Sequence, residues 1–123
     1  MQRSNFYSYT QKKLDLLTKN LLVIKRDGRI VKFDADKIYK AIEKAVNSVF
    51  GEKHSVNIDS IVDNVIIEIG NRFKDNIKIY ELQNIVEHTL ITLGEEAIYE
   101  EYVGYRSMRD IERERSLDIN VAI

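Results

Sequence analysis

Between residues 36 and 111 the apolar positions recur at helical spacing in four separate stretches. Ile38, Ala41, Ile42, Ala45, Val46, Val49 and Phe50 follow the i, i+3, i+4, i+7 template and predict a helix over about 36–50, ended by Gly51. Ile58, Ile61, Val62, Val65, Ile66, Ile69 and Phe73 predict a second over about 58–73, with Asn57 or Asp59 near its start. Many of these residues are β-branched, so periodicity has to outweigh propensity. Leu82, Ile85, Val86, Thr89, Leu90 and Leu93 mark a third over about 80–93, stopped by Gly94. Ile98, Tyr102, Val103, Tyr105, Met108 and Ile111 mark a fourth over about 95–116. Its second half alternates in sign from Arg109 to Arg115, which permits i, i+4 pairing on a solvated helix. Asn76-Ile77-Lys78-Ile79 is too short for a helix and predicts a strand.

Ahead of the first helix the pattern changes. From Leu21 to Phe33 two β-prone runs flank Asp27-Gly28, a pair that supplies the positive-φ backbone of a tight hairpin. A two-residue loop would pair Ile24 with Val31 and Val23 with Lys32. Leu22, Ile24, Val31 and Phe33 would then face the core, with Val23, Lys25, Ile30 and Lys32 on the other side; a longer loop would shift this register. Asp34 or Asp36 can cap the next helix. Lys37 on its first turn is electrostatically odd, because helix N-termini favour anions. A phosphate between the dipole and the ammonium would resolve the conflict; the alternative is an exposed lysine pairing with Asp34. Cations on a hairpin beside a helix start thus point to a nucleotide site built without a glycine-rich loop. Taken by themselves, the same residues describe a solvated hairpin tip.

Four amphipathic helices and a small sheet make an α+β domain, a four-helix bundle capped by a β-hairpin or a three-stranded sheet. Residues 1–20 read as a polar extension with a short helix near 10–18, residues 21–107 as the domain, and residues 108–123 as a polar helix end and linker. A chain of 123 residues, 44% apolar and 32% charged, suits one globular domain that buries roughly two thirds of its unfolded surface. The net charge of −1 argues against broad nonspecific binding to nucleic acid or acidic membrane. No apolar run approaches the ~20 residues of a membrane span, and the N-terminus lacks a secretory core, so a cytoplasmic location is expected. Cysteine is absent, which excludes disulfides and thiolate chemistry within this chain. His54 and His88 lie far apart, so no zinc site is expected.

Val23-Ile24-Lys25-Arg26-Asp27-Gly28, then Val31-Lys32-Phe33-Asp34 and Lys37-Ile38, then Ile77-Lys78-Ile79-Tyr80-Glu81-Leu82-Gln83, resemble the ATP-cone domain. In that family the module commonly stands at the N-terminus of ribonucleotide reductase large subunits, and it also occurs in a zinc-ribbon repressor of reductase genes. The run from Tyr102 to Glu114 looks like the stretch leaving the cone in anaerobic ribonucleoside-triphosphate reductases.

The resemblance implies an allosteric module that senses ATP against dATP, with Mg2+ able to accompany the nucleotide. It implies Val23, Lys25 and Arg26 as nucleotide contacts from the first strand and turn. Phe33, Asp34, Lys37 and Ile38 would line the site from the second strand and first helix, and Leu82, Gln83 and Val86 would face the base. Ile79 stands where relatives often carry a hydroxyl residue, and Gln83 where some carry histidine. Ribonucleotide reduction needs a cysteine thiyl radical, so a chain without cysteine is not a reductase by itself. It reads as the regulatory part of one, with a reductase catalytic body or subunit, or further copies of itself, as partners. Two other classes stand beside this one. The first is a nucleotide-responsive nucleic-acid-binding regulator, disfavoured by near-neutral charge and the missing zinc ribbon. The second is an interaction module whose nucleotide site is vestigial.

Overall fold

The computed structural model describes residues 17–108. The helix expected near residues 10–18 falls almost wholly outside that range, as does the alternating-charge run from Arg109 onward. Chain order is β1 (Leu22–Ile24), β2 (Ile30–Lys32), α1 (Ala35–Phe50), α2 (Ile58–Arg72), β3 (Asn76–Lys78) and α3 (Ile79–Thr92). A fourth helix, α4, runs through residues 96–108.

The hairpin departs from the two-residue reading. Val23 stands opposite Val31 and Ile24 opposite Ile30. The Lys25 amide donates to the Arg29 carbonyl at 2.8 Å, and the Gly28 amide to the Lys25 carbonyl at 3.0 Å. The loop is therefore three residues, Arg26-Asp27-Gly28, with Gly28 at φ +88° as the left-handed residue such loops require. The Asp27 carboxylate accepts from the Arg29 backbone amide at 3.1 Å and from its Nε at 2.7 Å. The backbone amide is the main reason that this carboxyl titrates below its ordinary 3.8. One residue of slip exchanges the faces of β1. Val23, assigned above to the outer face, is 5% exposed, and Leu22, assigned to the core, is 39% exposed. Val23, Lys25, Val31 and Phe33 share the packed side. Both faces of these strands carry aliphatic residues, so alternation alone could not choose between the two registers.

β3 joins β1 in parallel, with Val23 opposite Ile77, so the sheet order is β2-β1-β3 and β1 is central. Ile79, expected in this strand, instead opens α3. The helices follow their predicted stripes except toward their C-terminal ends, where Phe50, Leu93, Tyr105 and Met108 are exposed. Ile42 and Val46 of α1, Val62, Val65 and Ile69 of α2, Leu90 of α3 and Ile98 of α4 are fully buried beside Ile77. Asp34 caps α1 by accepting from the Asp36 amide at 3.0 Å, and Asn57 caps α2 by accepting from the Ser60 amide at 3.1 Å. Gly70 lets the segment before β1 lie against α2: a Cβ there would fall 2.6 Å from Leu17 Cβ. Among the described residues, no helix is long and apolar enough to cross a membrane.

α4 docks by its side chains. Ile98 is buried, and Tyr99 and Tyr102 pack against the core. Ser48 donates to Glu101 at 2.6 Å, Lys44 donates to the Tyr105 hydroxyl, and the Arg106 guanidinium donates to the Glu87 carboxylate.

Candidate functional site

The packed face of the hairpin, the first turns of α1, the start of α3 and the later turns of α4 enclose a cavity of about 500 Å³. That lies inside the about 300–1,000 Å³ range of small-molecule sites. Of the residues singled out from the sequence, Val23, Lys25, Phe33, Asp34, Lys37, Ile38, Leu82, Gln83 and Val86 all line it. Arg26 does not; it sits in the exposed hairpin loop. The three-residue loop is what aims Lys25 inward, because it turns Val23 and Lys25 together onto the packed side.

Six cations line this space, Lys25, Lys32, Lys37, Lys40, Lys44 and Arg106, against one carboxylate, Asp34. A chain of net charge −1 therefore concentrates positive potential in one concavity, where low-dielectric walls strengthen its pull on an anion. Asp34 is turned to its capping role, so the α1 tip is already satisfied by a carboxylate. An anion in the cavity would meet lysine side chains rather than an open helix end. Lys40 is shared with Asp36 at 3.1 Å.

The rest of the lining is apolar: Val23, Val31, Phe33, Ile38, Ala41, Ile79, Leu82 and Val86, with Tyr102 and Tyr105 from α4. Tyr102 is pushed up to about 12, first by burial and then by the nearby Glu87 carboxylate, so its phenol stays protonated at any physiological pH. Gln83 contributes an unusual polar atom. Its Oε1 is buried, and no described residue donates a hydrogen bond to it. Apolar walls, an orphaned acceptor and a cluster of cationic groups suit a ligand that carries both a base and phosphates.

The sequence pattern did not single out Lys40, Lys44, Tyr102, Tyr105 or Arg106 for the site. Lys37, Lys40, Ala41 and Lys44 stand at i, i+3, i+4 and i+7, so extending the helical wheel from Lys37 would have found the α1 wall. Nothing local marks the α4 residues, whose place depends on how that helix docks.

The sequence matches the ATP cone domain over residues 21–111. The chain belongs to the ATP-cone family. Cone domains are regulatory rather than catalytic, and they bind ATP or dATP as allosteric ligands. This cone is 36% identical over 98 residues to the anaerobic ribonucleoside-triphosphate reductase of Haemophilus influenzae, covering 78% of the chain and 13% of that enzyme. It is 29% identical over 113 residues to the ribonucleoside-diphosphate reductase subunit alpha of Chlamydia muridarum, covering 84% of the chain and 11% of the subunit. It is also 35% identical over 94 residues to the transcriptional repressor NrdR of Caldicellulosiruptor saccharolyticus, covering 74% of the chain and 58% of the repressor. The cone thus spans between a tenth and a seventh of the reductases that it resembles.

Proposed function

We propose that this cone senses ATP against dATP on behalf of a ribonucleotide reductase, with the anaerobic class favoured. The observation that carries the reading is the cavity in which nine residues chosen from the family pattern, Lys25 and Lys37 among them, meet four further cations. Lys25, Lys32, Lys37, Lys40, Lys44 and Arg106 neutralise the phosphates, and Arg26 lies at the hairpin tip outside the lining. Val23, Phe33, Ile38, Leu82 and Val86 enclose the base, and Gln83 accepts from its exocyclic amine. Mg2+ would arrive on the triphosphate, since Asp34 is the one carboxylate in the described lining. Base and phosphates are common to ATP and dATP, so any preference arises around the ribose 2′ position. Identities of 36% and 32% to two anaerobic enzymes, against 29% to the Chlamydia muridarum subunit, support the anaerobic assignment.

Calorimetric titration of the 123-residue chain with ATP and dATP, with mass followed by light scattering, tests this reading. Both nucleotides should bind and displace one another. Failure of either to bind at millimolar concentration would refute it. The resemblance to a transcriptional repressor favours a second reading, a nucleic-acid-binding regulator. That reading requires a gel shift whose affinity falls steeply with salt.

A further inference from the structure

The walls of the cavity differ in how they are fixed. The hairpin is held on both sides of β1 by backbone ladders, and α1 and α3 both pack on the core through their apolar stripes. The later turns of α4 are held to the rest by Tyr102 against the core and by three side-chain pairs, Ser48–Glu101, Lys44–Tyr105 and Arg106–Glu87. Lys44 and Arg106 in these pairs are themselves cavity cations. Lys44 also lies 4.2 Å from the centre of the Tyr105 ring. Glu87, on α3, stands outside the lining and answers Arg106 from behind.

We propose that α4 is a ligand-clamped wall: a polyphosphate in the cavity bridges Arg106 to the lysines of α1 and the hairpin, so that occupancy is passed to residues 96–108. This rests on the nucleotide reading and specifies the element through which that site exerts its regulation. Arg106 shares the lining with five lysines, and Glu87 offsets the guanidinium charge from behind. An anion between them attracts both sides. Linkage sets the size of the effect. Opening α4 removes Arg106, Tyr102 and Tyr105 from the wall and weakens the ligand by some factor, and saturating ligand must then suppress that opening by the same factor.

Hydrogen exchange on the full 123-residue chain, empty and saturated with ATP or with inorganic tripolyphosphate, reads this directly, with calorimetry run in parallel. Loss of one charge-assisted contact corresponds to roughly ten- to hundredfold, so amides of residues 96–108 should slow by about that factor. Arg106→Gln should abolish the slowing and lose a matching factor in ATP affinity, while buried α2 amides exchange as in the parent. Glu87→Gln should speed α4 exchange in the empty protein and leave the ATP-saturated rate close to the parent's. If Arg106→Gln does not fold, Lys37→Gln, on the α1 side of the same bridge, reports instead: a reduced slowing supports the clamp and an undiminished one overturns it. Calorimetric binding of ATP with unchanged α4 exchange defeats the clamp and leaves the nucleotide reading standing. Absence of binding defeats both.

Discussion

Gln83 offers a test in which stability and affinity should move in opposite directions. Its buried Oε1 finds no donor among the described residues. A buried acceptor without a partner costs about 1–3 kcal/mol, and the half-buried position of the residue argues for the lower end. Gln83→Met keeps the length and shape of the side chain and removes the carbonyl. The empty protein should therefore gain about 1 kcal/mol, a rise in Tm of roughly 2–6 °C for a domain of this size. On the proposed reading the same carbonyl would accept from the adenine amine of bound ATP, so the variant should lose about 1–3 kcal/mol of binding, roughly five- to 150-fold in Kd. Guanine carries a carbonyl where adenine carries that amine, and the preference for ATP over GTP should shrink in parallel. Thermal melts of ligand-free protein and calorimetric titration with each nucleotide give the two readouts. A variant that melts below the parent when empty and binds ATP with unchanged affinity would refute the reasoning.

Two further expectations concern charge. Lys25→Ala should weaken ATP by roughly ten- to hundredfold through loss of a charge-assisted contact, and an unchanged calorimetric Kd would remove Lys25 from the site. Asp63 titrates above its ordinary 3.8, first because of burial and then because of the neighbouring Asp59 carboxylate. A carboxyl raised in this way favours the fold below 3.8, and that contribution is lost as pH rises through its folded value. Asp63→Asn should therefore melt higher than the parent at pH 7, with the gap closing as the pH falls towards 3.8; a gap that widens on acidification would contradict the burial argument.

The helices were legible because stripe and cap agreed. Ile38 to Phe50 alternates at helical spacing, and Asp34 supplies the cap where the stripe begins. Even α2, rich in β-branched residues, formed where its period placed it, since burial of Val62, Val65 and Ile69 outweighs their modest propensity cost. The hairpin register was not legible. Asp27-Gly28 serves a two-residue loop and a three-residue loop equally well, and Leu22 and Val23 are equally apolar, so neither loop chemistry nor face pattern could decide. The α1 wall was half legible, since Lys40 and Lys44 continue the row that Lys37 begins. The α4 contribution was not. Tyr105 and Arg106 reach the cavity through pairs with Lys44 and Glu87, 61 and 19 residues away, and no local pattern encodes such a pairing.

The order of strands has a consequence for how this sensor comes into being. β1 and β2 are neighbours in sequence and can zip together within microseconds, whereas β1 meets β3 only after α1 and α2 have been placed between them. A nascent chain would therefore display its basic hairpin long before any pocket exists to receive a nucleotide. Ligand recognition is a property of the closed chain, and fragments ending before α4 should fold in part yet remain blind to the pool they are meant to read.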